Sequence, residues 1–173
     1  MEDTVGRGST WLPLGSGADV DGEYRYRLWR SWAPARGRCT FVMLNPSTAD
    51  ATQDDPTIRR CVNFVTRWGF GCLDVVNLYA LRSTDPKSLR SHADPVGPRG
   101  DIAIADAVQG ARRVVAAWGT NATAMRHESV LAALRRLVPD VLVHLGLTKA
   151  GFPRHPLYAP AATTPTPWSD PRT

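Results

Sequence analysis

Four short runs of Val, Leu and other apolar residues, at 39–44, 73–78, 113–118 and 141–145, punctuate the chain, and the gaps between them are long enough for helices. Continuous runs of this length, without alternation, fit strands buried on both faces, the condition of a parallel sheet covered by helices. The intervening segments carry the helical period. Ile58, Cys61, Val62, Val65 and Trp68 share one face of a helix that Asp54 or Asp55 can cap, with Pro56 in its first turn and Gly69 at its end. Residues 101–109 and 123–138 make two more, the second with Val130, Leu131, Leu134 and Leu137 on one side. Ahead of these, Tyr24, Tyr26 and Leu28 alternate with Arg25, Arg27 and Arg30, which reads as a strand with one aromatic and one basic face. The order β, β, α, β, α, β, α, β predicts an α/β protein, a three-layer α/β/α sandwich around a mainly parallel central sheet.

A chain of 173 residues is one ordinary domain. Residues 1–21, rich in Gly, Ser and Asp, read as a flexible lead-in. Residues 160–173, with Pro160, Pro165, Pro167 and Pro171, read as a Pro-rich tail, and 22–159 is left as the single α/β domain. With 43% hydrophobic and 21% charged residues, wholesale disorder and a fibrous repeat are excluded. The apolar runs fall far short of the ~18 residues of a membrane span, so no membrane partner is expected. The first residues lack a basic start followed by an apolar run, and the expected location is cytoplasmic. Cys39, Cys61 and Cys72 are odd in number and lack a CxxC pair, which points to buried thiols rather than a disulfide framework or a zinc site. No metal and no cofactor is expected: Walker, GxGxxG and HExxH patterns are missing. The net charge of +5 would suit a polyanionic partner, although the excess is spread along the chain and is almost all arginine, with Lys87 and Lys149 the two lysines.

In an open α/β sheet, ligands bind beyond the carboxyl ends of the strands. The four runs exit into Asn45-Pro46-Ser47, Asn77-Leu78-Tyr79, Trp118-Gly119-Thr120-Asn121 and Gly146-Leu147-Thr148-Lys149. These polar exits nominate Pro46, Ser47, Tyr79, Trp118, Gly119, Thr148 and Lys149 as substrate contacts. Asn45 and Asn77 each stand where an apolar residue is normal, so each either braces a loop or reads a ligand amide. His155 lies between Pro153 and Pro156, which fix the backbone around an imidazole just after the fourth run. Asp54 and Asp55 are most simply helix caps, leaving Asp50 as the carboxylate free to act as a base. A basic rim of Arg25, Arg27, Arg30, Arg59, Arg60, Arg82 and Arg154, with Tyr24, Tyr26 and Trp29 for stacking, would hold nucleic acid.

The segments FVMLNPSTAD, DDPTIRRC, WGFG, VVNLYALRSTDP, DPVGP, AWG and LGLTKAGFPRHPLY together resemble a bacterial and phage family known as a domain of unknown function, number 1643. The likeness covers about residues 24–158. More distantly, the order of motifs is similar to the uracil-DNA glycosylase superfamily, α/β/α sandwiches in which the mismatch-specific branch has an NPG element after the first core strand and an HP element near the end. That resemblance implies that Asn45 positions the attacking water, that Asn77 pairs with the base edge and that His155 hydrogen-bonds the departing base. Ser47 stands in place of the glycine and Leu157 in place of the small residue that usually follows HP. The implied function is a nucleobase, nucleoside or nucleic-acid binding protein that cleaves N-glycosidic bonds. The alternative is a non-catalytic nucleotide or nucleic-acid binding module on the same fold.

Overall fold

The structure, a computed structural model, describes residues 14–169. Seven strands form one sheet: β1 (Gly15–Asp21), β2 (Tyr24–Ser31), β3 (Arg38–Met43), β4 (Cys72–Asn77), β5 (Arg113–Ala116), β6 (Leu142–His144) and β7 (Thr166–Pro167), in the spatial order β1-β2-β4-β3-β5-β6-β7. Four α-helices connect them: α1 (Pro56–Arg67), α2 (Ser88–Ser91), α3 (Gly100–Val108) and α4 (Ala124–Leu137). The four apolar runs are β3 to β6, and the three periodic segments are α1, α3 and α4.

The chain leaves β3 for β4 on one side and later returns to β5 on the other. Since such crossovers are right-handed, opposite directions send their helices to opposite faces. Accordingly Ile58, Cys61, Phe64 and Val65 of α1 pack on Phe41, Met43 and Val75, whereas Ile104 of α3 and Val130 and Leu134 of α4 pack on Val42, Val76 and Val114. Each of these side chains, fully buried, contributes roughly 1.5–3 kcal/mol. Asp55 starts α1, its Oδ1 accepting from the Ile58 N–H at 2.8 Å, with Pro56 at the first helical position. The three thiols are free and buried, and burial pushes those of Cys39 and Cys61 well up.

Three expectations are corrected. The sheet is mixed rather than mainly parallel: β4, β3, β5 and β6 run parallel, while the β1/β2, β2/β4 and β6/β7 pairings are antiparallel. Residues 15–21 of the proposed flexible lead-in are the edge strand β1. Backbone pairing with β2 holds it rather than an apolar face, and Gly17 is needed because a Cβ there would stand 2.1 Å from the Trp29 ring. The Pro-rich tail likewise returns to the sheet, adding β7 to β6 and stacking Trp168 on Trp118 with ring centres 6.5 Å apart. Residues 1–13 and 170–173 of those two segments lie outside the described residues. No helix among the described residues is long and apolar enough to cross a membrane.

The β2 strand also departs from its simple reading. Its register against β1 slips so that Asp19 faces Arg27 and Val20 faces Arg25, leaving Tyr26 unopposed as a bulge. Arg25 and Arg27 therefore diverge instead of sharing a basic face. Arg25 reaches the Ala49 carbonyl, while Arg27 forks onto the buried Asp74, with both carboxylate oxygens 2.9 Å from its Nε.

Candidate functional site

A cavity of about 460 Å³ opens at the carboxyl edge of the parallel strands, within the size range of small-ligand sites. Its position follows from the topology. The connections leaving β3 and β5 depart to opposite faces of the sheet, and the crevice between them is where open α/β sheets take ligands. Asn45 and Ser47 come from the loop after β3, Asp55 and Thr57 from the start of α1, and Gly119, Thr120 and Asn121 from the loop after β5. Thr148, Arg154 and His155 follow β6, Ser83 and Thr84 follow β4, and Arg25 enters from β2.

Asn45 both braces and presents. Its Nδ2 donates to the Pro46 and Ser83 carbonyls at 3.0 and 2.8 Å, which ties the loop after β3 to the loop after β4. Because both amide hydrogens are committed, the group left for a ligand or water is the acceptor Oδ1.

His155 is fixed by the backbone that follows it. Its Nδ1 accepts from the Leu157 N–H at 3.2 Å, capping the short 3-10 turn Pro156–Tyr158. An accepting Nδ1 places the proton of the neutral ring on Nε2. Burial holds the imidazole below the ordinary histidine value, opposed by the nearby Asp55 carboxylate, so near neutral pH the ring is an uncharged Nε2–H donor.

Asp55 is the carboxylate that lines the cavity, and sequence reasoning took it only as a cap. It is both. Oδ1 holds the Ile58 N–H and Oδ2 accepts from the Ala49 N–H at 3.4 Å. The capping signal is what hid the second role, since a cap residue at the start of a helix after β3 is necessarily at the carboxyl edge of the sheet.

Other nominated residues fall elsewhere. Asp50 is not at the cavity: it is exposed, its Oδ1 accepts from the Thr52 and Gln53 N–H groups at 2.9 and 2.7 Å, and those bonds pull its carboxyl down. It closes a turn and is not poised as a base. Asn77 ends β4 but its side chain is buried outside the cavity lining, with neither amide atom meeting a hydrogen-bond partner among the described residues. Tyr79 bonds its hydroxyl to Thr123 and lines a neighbouring cavity of about 480 Å³ that also touches Asn121. Trp118 borders the site, but its indole is 1% exposed, packs in the core and donates to His127 Nδ1 at 3.0 Å, so it is no open stacking platform. Pro46 serves through its carbonyl, Gly119 and Thr148 do line the site, and Lys149 is exposed away from it.

The arginines do not form the expected rim. Arg25 and Arg154 line the cavity. Arg27 is held by Asp74, Arg60 lies over the Phe64 ring and donates to the Ala159 carbonyl, and Arg30 clamps the 50–54 loop through Asp54 and the Asp50 carbonyl. Arg59 and Arg82 are exposed and do not line the cavity. Tyr24 and Tyr26 stack on each other at 5.8 Å, and the Trp29 ring covers Gly17.

The family model of the protein of unknown function DUF1643 matches residues 25–157. The chain belongs to this family. No curated protein and no solved structure matches it. The matched stretch of this DUF1643 protein begins at Arg25 and ends at Leu157, so it takes in nearly every side chain of the cavity while leaving out β1 and β7. The family region thus spans β2, the parallel strands and the site.

Proposed function

We propose that the cavity binds a nucleobase carried on a nucleoside, nucleotide or nucleic-acid strand, and that this DUF1643 protein cleaves the N-glycosidic bond of a modified or mismatched base, as its resemblance to uracil-DNA glycosylases suggests. The observation that carries the reading is that Asn45 and His155 line the same cavity, and that the acceptor Oδ1 of one and the donor Nε2–H of the other meet no partner among the described residues. In the reaction, a water held by Asn45 attacks the anomeric carbon of the sugar. The C–N bond breaks and its electron pair leaves with the base, where the His155 N–H stabilises the charge; the proton of the water passes to Asp55. An uncharged donor suits this task, because it stabilises the departing anion without itself needing a counter-charge before the bond breaks.

The test is a base-release assay over modified bases in single- and double-stranded DNA, RNA and free nucleosides. Release of free base that drops by ~10² or more in Asn45→Ala and in His155→Ala supports the reading. Cleavage at undiminished rate in both variants refutes the roles. One observation favours the non-catalytic alternative: both oxygens of Asp55 already accept backbone N–H groups, which leaves fewer lone pairs free to take a proton from the water. Binding of bases or oligonucleotides without release under any condition would establish that alternative.

A further inference from the structure

Arg25 is the one deeply buried arginine whose charge the described residues leave unmatched. It is 3% exposed at the cavity, with its guanidinium donating from Nη1 to the Ala49 carbonyl and its Nε meeting no partner. The two other arginines that are buried to a comparable degree both face a carboxylate. Arg30 binds Asp54 at 2.8 Å, and Arg38 lies 4.0 Å from Asp74. The acid that acts most strongly on Arg25 is Asp55, but no salt bridge joins the two, and the Asp55 oxygens accept from the Ile58 N–H at the positive end of α1 and from the Ala49 N–H. Asp50 is turned away into its own turn. The cavity therefore holds a cation in its wall, a second arginine, Arg154, at its exposed margin, the amino end of a twelve-residue helix, and a single carboxylate whose two oxygens accept from backbone N–H groups.

The backbone is arranged to produce this. Without the bulge at Tyr26, the side chains of β2 would alternate regularly and Arg25 would lie on the same side as Arg27, above Asp74. The bulge turns Arg25 the other way, into a place where no carboxylate among the described residues forms a salt bridge with it. Burying a cation in such a place is costly, and burial pulls its guanidinium down to about 10. A fold keeps an arrangement like this where something that binds there supplies the missing charge.

We propose that Arg25 anchors an anionic oxygen group of the ligand, and that the substrate class of this cavity is therefore a phosphate-bearing nucleotide rather than a neutral base or nucleoside. The guanidinium fork matches two oxygens of a phosphate at once, which a backbone carbonyl cannot satisfy. The inference deepens the reading of the cavity as a base site and rests on it only for the organic part of the ligand.

Titration calorimetry and thermal melts on the full chain test it, with inorganic phosphate, each common nucleoside beside its 5′-monophosphate, and a single-stranded oligonucleotide lacking terminal phosphates as probes. At least one monophosphate should bind ~10²-fold more tightly than its nucleoside, and Arg25→Met should erase that difference. In phosphate-free buffer Arg25→Met should melt at or above the wild type, since an apolar side chain replaces an unmatched buried charge. A purely bracing Arg25 would instead make that variant melt lower and leave the preference for phosphate intact. Should Arg25→Met fail to fold, Arg25→Lys keeps the charge but not the fork, and it should lose at least ~10-fold in monophosphate affinity with the nucleoside unaffected. Nucleosides binding as well as their monophosphates would overturn the proposal while leaving the base site standing. Inorganic phosphate protecting the wild type with no gain from any nucleotide would uphold Arg25 as an oxyanion anchor and remove the base. An oligonucleotide that binds like the monophosphate, and depends on Arg25 as it does, would identify the anion as an internal phosphodiester. Neither phosphate, nucleotide nor oligonucleotide binding would refute the anchor outright.

Discussion

The proposed function gives His155 two separable tasks, and a pair of substitutions tells them apart. The Nδ1 atom caps a short turn by accepting the Leu157 N–H at 3.2 Å, and the Nε2–H is the donor proposed for the ligand. Loss of an N-cap acceptor costs ~1 kcal/mol, which for a chain of 173 residues is about 2–4 °C in Tm. Loss of one donor aimed at a developing anion costs ~2.7–4 kcal/mol of transition-state stabilisation, or 10²–10³ in rate. His155→Ala removes both, so it should melt a few degrees lower and release base at least 10²-fold more slowly. In His155→Asn the shorter side chain can still accept from the Leu157 N–H, but it places no donor where Nε2 stood. That variant should recover the Tm and remain as slow as His155→Ala. Single-turnover base release under saturating enzyme, paired with calorimetric melts, measures the two effects independently. Full rates in both variants would refute the donor role, and an equal fall in Tm for both would refute the assignment of Nδ1 as the cap.

Other expected outcomes follow from the same geometry. Asn45→Asp should lower stability more at pH 7 than at pH 4, because an ionised carboxylate would face the Pro46 and Ser83 carbonyls that the Asn45 amide now binds; urea melts at the two pH values check this. The folded imidazole of His155 titrates below its unfolded value. Its contribution to stability is therefore complete above ~6.5 and is lost as pH falls through the folded value, and base release should hold its plateau to below that pH before declining. Asp74→Asn removes the partner of Arg27 and Arg38 at a fully buried position and should cost ~3 kcal/mol in urea denaturation, the lower end for a broken buried pair because Arg27 is a quarter exposed. Trp168→Ala removes the stack on Trp118 and should cost roughly 2 kcal/mol, about half the usual figure for a fully buried Trp, as a fall in Tm. An unchanged Tm would place the C-terminal strand outside the cooperative unit.

The parallel centre was legible because its strands are buried on both faces and are therefore mostly apolar, with Arg38, Thr40, Asp74 and Asn77 the buried polar exceptions; the four runs and α1, α3 and α4 emerge within a few residues of their bounds. The edges were not legible for the same reason. Strands β1 and β7 are held by backbone pairing and by a few long-range contacts, Gly17 under Trp29 and the Asp19–Arg99 ion pair for β1, and Trp168 on Trp118 and His144 beside β7, and none leaves a periodic trace in composition. The short helix α2 has only Leu89 buried and carries no period to find. At the site, residues whose backbone position alone decides exposure were readable: Asn45, Ser47, Gly119, Thr148, Arg154 and His155 line the cavity because they leave strands at one edge. Those whose placement depends on side-chain direction were not, as Asp50, Asn77 and Tyr79 show.

Arg25 and Asn77 share a property that local pattern cannot reveal, namely a buried polar group whose partners are missing among the described residues. An unsatisfied buried amide costs ~1–3 kcal/mol and an unmatched cation more, so the contacts of the described residues alone do not offset either. The two nevertheless differ in what lies in front of them. Arg25 fronts an open cavity, where a ligand can complete its hydrogen bonds, whereas Asn77 is buried and absent from the lining of that cavity, so a ligand entering the site as it stands cannot reach its amide. Base recognition by Asn77 would therefore require the 44–49 loop or the β4 exit to move, and the hydrogen bonds from the Asn45 amide to Pro46 and Ser83 are what hold those two loops together. If base selectivity is built into the static cavity, it comes from the groups already facing it: the Asn45 acceptor, the His155 donor, and the hydroxyl and amide side chains of Ser47, Thr120 and Asn121.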